Sequence, residues 1–131
     1  MRHIVLAVLG VVILGGSSAR AHHGYSTFFD PTERTVAIEG NLEDLLYGNP
    51  HVVMKIRAAD SQVYTITWQA ATWVERNAGV TKSTFAVGDR LIVTGAPSRD
   101  PASHEVTLVR EVRRPSDRWY WRSSNGFAPP S

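Results

Sequence analysis

Apolar and polar residues alternate in short stretches over most of the chain after residue 35. Alternation with a period of two is typical of β-strands that bury one face. In the second stretch, for example, Val52, Met54 and Ile56 share the face that we expect to be buried. Gly40 and Asn41 interrupt the first stretch, so we expect a bulge or bend there. The pattern predicts five strands, at Thr35–Leu46, His51–Arg57, Val63–Trp68, Arg90–Gly95 and Glu105–Arg113.

A single short helix is predicted between the third and fourth strands, over Ala70–Ala78. Gly79 follows where a helix C-cap favours a positive φ, and Thr72 or the preceding turn can cap the first turn. Three strands, a helix and two strands match a five-stranded barrel of the OB type. A small open β-sandwich is the alternative, but a closed barrel also removes exposed strand edges. We therefore predict an all-β fold with one short helix, arranged as an OB-like β-barrel.

The N-terminal region has the pattern of a secretory signal peptide. Arg2 and His3 precede a continuous apolar run over residues 4–16, and small residues lead up to Ala21. The run is shorter than the roughly 20 residues of a membrane-spanning helix. We expect cleavage after Ala21, with cleavage after Ala19 as the alternative. The expected product is a periplasmic or secreted protein that has no stable membrane anchor.

These patterns divide the chain into four segments. They are a signal peptide at 1–21, an N-terminal arm at 22–34, an OB-like barrel domain at 35–115 and a C-terminal tail at 116–131. Removing 21 of the 131 residues leaves 110, which is the size of one ordinary domain. We expect Trp119 and Trp121 of the tail to pack against the barrel.

The composition excludes several classes of protein. The chain has no cysteine, which excludes disulfides and a lipidated N-terminus. Without the two arginines of the signal peptide, 12 basic residues face 12 acidic ones, so the mature chain has no net formal charge. A nucleic-acid-binding domain would show a clear basic excess, so we expect no nucleic-acid partner. Basic residues do cluster near the end, on what we expect to be a solvated surface, at Arg110, Arg113, Arg114, Arg118 and Arg122.

Cleavage after Ala21 would place His22 at the N-terminus, where its α-amine and a ring nitrogen can bind one metal ion together. His23 offers a second mode, through the amine, the intervening amide and its own ring, which competes for the same amine. Nitrogen donors favour Cu(II) or Ni(II), and copper binds most tightly in the first-row series. We therefore predict copper as the ligand, bound with an affinity that rises with pH as the amine loses its proton.

His51 is the candidate third ligand. It follows Asn49 and Pro50, and the proline fixes the backbone just before the imidazole. If the N-terminal arm folds over this loop, His51 and His22 form a three-nitrogen site. Its ligand types resemble the histidine brace of copper oxygenases and copper carriers. A hydrogen bond from His51 to a loop carbonyl is the alternative, and we expect His104 to be a surface residue.

The sequence shows no catalytic constellation, because it has neither a nucleophile-elbow pattern nor a glycine-rich phosphate-binding loop. Tyr64, Trp68 and Trp73 could form a stacking platform for a base or sugar, although core packing is the expected role of Trp68. The sequence therefore favours a non-catalytic metal-binding protein. Two alternatives remain: a module that binds a protein, glycan or envelope component without metal, and a copper-dependent oxidase or oxygenase.

Three groups of residues carry a family resemblance. They are His22-His23-Gly24-Tyr25 with Phe29-Asp30, Asn49-Pro50-His51-Val52, and Gly88-Asp89 with Val93-Thr94-Gly95. These motifs resemble a family of small exported bacterial proteins that is classed as a domain of unknown function. They cover most of residues 22–95, and the chain after Ala96 departs from the family pattern. The resemblance implies export and a small β-barrel, and it implies no established activity.

Overall fold

The computed structural model describes residues 35–124, which contain six β-strands and one α-helix. They are β1 (Val36–Leu46), β2 (Val53–Ala58), β3 (Val63–Thr67), α1 (Ala71–Ala78), β4 (Arg90–Pro97), β5 (Glu105–Arg114) and β6 (Trp119–Arg122). All five predicted strands and the predicted helix are present, with ends that differ by no more than two residues. The predicted signal peptide and N-terminal arm, with His22 and His23, lie outside the described residues.

The six strands form one sheet in the order β3-β2-β1-β4-β5-β6. Neighbouring strands in this order are antiparallel. In addition, β3 pairs in parallel with β5, through Thr65 with Glu105 and Ile66 with Val106. This pairing closes β1 to β5 into a barrel. The predicted OB-like fold is therefore confirmed, and the open sandwich is excluded.

Apolar side chains that alternate along the strands fill the barrel interior. Met54 and Ile56 of β2 are fully buried, as is Ile66 of β3, which is what the period of two predicts. Helix α1 contributes Ala71 and Val74 to the same core. Burying a side chain of this size contributes about 1.5–3 kcal/mol. In a chain without disulfides, stability depends on this core.

The bulge in β1 lies further along the strand than predicted. The register against β2 shifts between Leu42 and Asp44, so the bulge does not lie at Gly40 and Asn41, where the sequence predicted a bulge or bend. Gly40 has a different role, because a Cβ at this position would overlap the carbonyl group of Arg57 on β2. Gly40 therefore lies where the backbones of β1 and β2 approach closely. The unpaired residue of the bulge lies further along β1, between Leu42 and Asp44.

Helix α1 ends as predicted but begins differently. Gly79 adopts a φ of 64° and donates its N–H to the carbonyl of Glu75, which confirms the glycine C-cap. The N-cap residue is Ala70, without a side-chain cap, so Thr72 does not have the predicted capping role. Instead, Thr72 N–H makes a long hydrogen bond of 3.5 Å to Oδ1 of Asn49. Within residues 35–124, no helix is long and apolar enough to cross a lipid bilayer.

Part of the predicted tail belongs to the sheet. Strand β6 pairs with β5 beyond the predicted barrel boundary at residue 115. Trp119 packs edge-on against Phe85, and Trp121 packs on Trp68, each with 5.0 Å between ring centroids. The predicted packing of these two tail tryptophans against the barrel is confirmed.

Arg114 is an exception to the predicted solvated arginine cluster. Its guanidinium forms ion pairs with Asp89 at 2.9 Å and Asp117 at 2.8 Å, and its side chain is only 17% exposed. It also donates to the carbonyl of Thr84 and lies over the ring of Phe85. Hydrogen bonds to the two carboxylates raise the pKa of Arg114 above its ordinary value. This arginine therefore ties the turn before β4 to the end of β5.

Candidate metal centre

His51 lies in the loop between β1 and β2, where the backbone restrains its half-buried ring. Nδ1 lies 3.1 Å from the carbonyl oxygen of Trp68, just after β3. Because a carbonyl oxygen only accepts hydrogen bonds, Nδ1 carries the proton of the neutral ring and Nε2 keeps its lone pair. The predicted alternative, a hydrogen bond to a carbonyl, is thus present. It leaves Nε2 as the nitrogen that can bind a metal.

Main-chain hydrogen bonds on both sides of His51 fix the position of the loop. Val52 N–H donates to the carbonyl of Gln69 at 2.9 Å, and Trp68 N–H donates to the carbonyl of Val52 at 2.8 Å. On the N-terminal side, the first residue of α1 donates to the carbonyl of Gly48 at 3.0 Å. The loop is therefore bonded at both ends to the segment that joins β3 and α1.

Tyr47 connects the same loop to the end of α1. Its hydroxyl donates to the carbonyl of Val80 at 2.8 Å, with the carbonyl of Ala71 at 3.3 Å. Burial, and then the nearby Glu75 carboxylate, raise the pKa of the Tyr47 hydroxyl above its ordinary value, so it is a neutral donor near pH 7 as an ordinary tyrosine is. No local pattern in the sequence points to Tyr47, because its partner lies 33 positions away.

The aromatic residues near this loop form a packed cluster and not the stacking platform that was the less favoured alternative. Trp68 is 3% exposed and packs against Trp121, which meets Trp73 edge-on at 6.3 Å between ring centroids. Tyr64 packs instead against His104, at 5.2 Å between centroids. The expected core role of Trp68 is confirmed, whereas its burial is incompatible with a platform that exposes it.

Residues 35–124 supply one of the three predicted ligands, His51. No three His, Asp or Glu side chains in this part of the chain are grouped so that they could hold a metal ion. His104, predicted to be a surface residue, is half-buried beside the β3–β5 pairing. His22 and His23, the other two predicted ligands, lie outside this range.

A family model matches residues 10–107 of the chain, and that family is described as one of unknown function, DUF6152. The chain belongs to the DUF6152 family. The predicted resemblance to an uncharacterised family is thereby confirmed. The DUF6152 match includes His22, His23 and the His51 loop, and it ends within β5. No curated protein matches the chain.

Proposed function

We propose that this DUF6152 protein is an exported, non-catalytic β-barrel that binds copper through His22 and His51, with His23 assisting. The observation that carries the proposal is the 3.1 Å hydrogen bond between His51 Nδ1 and the Trp68 carbonyl. Metal-binding histidines usually donate their second ring N–H to a carbonyl or carboxylate, which fixes the tautomer and the ring orientation. The imidazole of His51 has this arrangement.

The proposed donor set suits copper better than the hard cations. The α-amine and imidazole of His22, together with Nε2 of His51, are three nitrogen donors. Nitrogen donors favour Cu(II), whereas Ca²⁺ and Mg²⁺ prefer oxygen ligands. Cleavage of the signal peptide after Ala21 supplies the amine, so export and metal binding are parts of one proposal.

The extended N-terminal arm is longer than β1, the strand that lies between its attachment point and the loop of His51. The described chain begins at Thr35, beside the start of β1, and His51 follows the other end of that strand. Because β1 has 11 residues, its ends are at most about 34 Å apart. The 13 residue steps from His22 to Thr35 can span up to about 43–47 Å when extended. The length of the arm is therefore compatible with the proposed contact.

A calorimetric Cu(II) titration of the mature protein tests this proposal. Protein that begins at His22, verified by intact mass, should bind one Cu(II) ion. One alanine added before His22 should weaken binding at least tenfold, because the α-amine then no longer belongs to the histidine. His51→Ala should also weaken binding, by at least the roughly 10–100-fold that loss of a group orienting a metal ligand costs. His104→Ala is the matched control, since it removes a half-buried imidazole outside the proposed site.

Two outcomes would contradict the proposal separately. Equal affinity of the extended and authentic forms would exclude the α-amine as a ligand. Unchanged affinity in His51→Ala would exclude the barrel from the site, even if the N-terminus binds copper by itself. Far-ultraviolet circular dichroism of each variant shows whether the barrel remains folded.

A further inference from the structure

Two apolar side chains form a cross-strand pair on the outer face of the sheet, at the end of β1 that leads into the His51 loop. Leu46 of β1 lies opposite Val53 of β2 in the register. The preceding pair, Leu45 with the fully buried Met54, points into the barrel, so Leu46 and Val53 point outward. Leu46 is 65% exposed, and Val53 is partly exposed. The Leu46–Val53 pair is therefore an apolar surface that the barrel does not cover.

The Leu46–Val53 pair differs from the other exposed apolar side chains of residues 35–124. Val87 lies in the turn before β4, and Tyr120 lies opposite the charged Arg113. Single exposed apolar side chains are common on protein surfaces, whereas contiguous ones mark interaction sites. Two side chains are nevertheless too few for a stable protein–protein interface, which buries about 800 Å² on each partner. The pair is suited to contact with a single large side chain.

The Leu46–Val53 pair lies close to His51, the proposed metal ligand. Val53 follows His51 by two residues, so their Cα atoms are at most about 7 Å apart. In the N-terminal arm, Tyr25 follows His22 by three residues, so these Cα atoms are at most about 10–11 Å apart. With His22 beside His51, Tyr25 is therefore within reach of the pair. The proposed function uses the two histidines of the His-His-Gly-Tyr motif and assigns no role to its tyrosine.

We propose that Tyr25 docks on the Leu46–Val53 pair and so holds the N-terminal arm on the barrel. This inference rests on the proposed function, because the docking keeps His22 beside His51. The tyrosine ring buries apolar area against the two side chains, while its hydroxyl remains in water. Docking orders the arm before the metal binds, so that metal binding no longer has to offset the full entropic cost of ordering it. Tyr25 is thus a positioning residue and not a metal ligand.

Two measurements on the mature protein test this assignment. In the metal-free protein, NMR should show nuclear Overhauser contacts between the Tyr25 ring and the Leu46 methyl groups. In a Cu(II) titration, Tyr25→Ala and Leu46→Ser should each weaken binding about three- to tenfold, as expected for loss of a partly buried apolar contact. Tyr25→Phe keeps the ring and should bind copper normally. Val87→Ser is the matched control, because it removes a similarly exposed apolar side chain away from the pair.

The double variant of Tyr25→Ala and Leu46→Ser should bind copper no more weakly than either single variant, because both remove the same contact. Absence of the contact between Tyr25 and Leu46, or unchanged copper affinity in Tyr25→Ala, would overturn the docking and leave the proposed function in place. Loss of affinity in Phe28→Ala instead of Tyr25→Ala would also overturn it, because another arm side chain would then occupy the pair. Conversely, the contact in a mature protein that binds no copper would support the docking and contradict the proposed function.

Discussion

His51 is oriented by a main-chain carbonyl, a partner that no side-chain substitution removes directly. The carbonyl belongs to Trp68, whose buried indole Nε1 has no hydrogen-bond partner within residues 35–124. Leaving such a donor unpaired costs about 1–3 kcal/mol. The packing of the Trp68 ring in the core must offset this cost. Burial of Trp68 thus fixes the backbone on which the orientation of His51 depends.

At Gly40, a single added side-chain atom would collide with the backbone of β2. A Cβ at this position would lie 2.6 Å from the carbonyl carbon of Arg57, and backbone cannot move aside as a flexible side chain can. Gly40→Ala should therefore lower the free energy of unfolding by about 3 kcal/mol. Gly48→Ala is the control, because a Cβ there meets no atom within 4 Å. Urea denaturation measures both, and equal midpoints would contradict the close approach.

At the scale of elements, one guanidinium joins three segments. Arg114 on β5 binds Asp89 in the turn before β4 and Asp117 in the turn before β6. The Ala86 amide, and then Arg114, hold the pKa of Asp89 below its ordinary value. Arg114, followed by the Trp119 amide, lowers the pKa of Asp117 in the same way. Both carboxylates are therefore more stable as anions in the folded chain than in the unfolded chain.

These lowered pKa values predict how stability depends on pH. The stabilisation that the Asp89 and Asp117 carboxylates contribute is complete above the ordinary Asp pKa of about 3.8. It is lost as the pH falls through the lower pKa values of the folded state. The free energy of unfolding should therefore decline below about pH 4. Asp89→Asn should reduce it by about 1–2 kcal/mol at pH 7 and make the decline shallower. Asp44→Asn, at an exposed carboxylate of β1, is the control in urea unfolding from pH 3 to 7. If the free energy of unfolding of Asp89→Asn declined as steeply with falling pH as that of the unmodified protein, Asp89 would not have this role.

Local signals predicted most of the elements, and contacts between distant residues account for what was missed. Strand alternation and Gly79 act through their immediate neighbours, so strand positions and the helix end followed from the sequence. The partners of Arg114 include Asp89, 25 positions earlier, which no local pattern reveals. The bulge after Leu42 depends on the register with β2, and for the same reason it was placed wrongly at Gly40.

The candidate site, like the fold, was predictable from the sequence only where its signals are local. The Asn-Pro-His sequence pointed to His51 because proline restrains the backbone before an imidazole. The partner that sets its tautomer is the carbonyl of Trp68, 17 positions away across the β2–β3 hairpin. Tyr47, which ties the loop to α1, was missed because its acceptor at Val80 is more distant still. Sequence thus singled out His51, and the fold supplies the groups that orient its ring.

At the scale of the whole molecule, β5 is the strand on which closure depends. One of its edges carries β4, and the other is shared by β3 and β6. The β3–β5 pairing is short, with two residue pairs, and is extended by a hydrogen bond from Thr65 N–H to the carbonyl of His104 at 2.8 Å. Thr107 Oγ1 adds another to the carbonyl of Thr67 at 3.2 Å. Strand β6 covers the part of this edge that β3 leaves unpaired.

The contribution of β6 can be measured through Trp121. Its ring packs on Trp68 and Trp73, and its Nε1 donates to the carbonyl of Asn77 at 3.2 Å, so it connects β6 to both the barrel and α1. Trp121→Ala should lower the free energy of unfolding by about 2–3 kcal/mol, less than for a fully buried tryptophan because the ring is half-buried. The matched control is Tyr120→Ala, which truncates a 52% exposed neighbour on the same strand and should cost less than about 1 kcal/mol. Equal urea midpoints for the two variants would show that β6 contributes little to stability through Trp121. The expected difference would show that β6 stabilises the barrel.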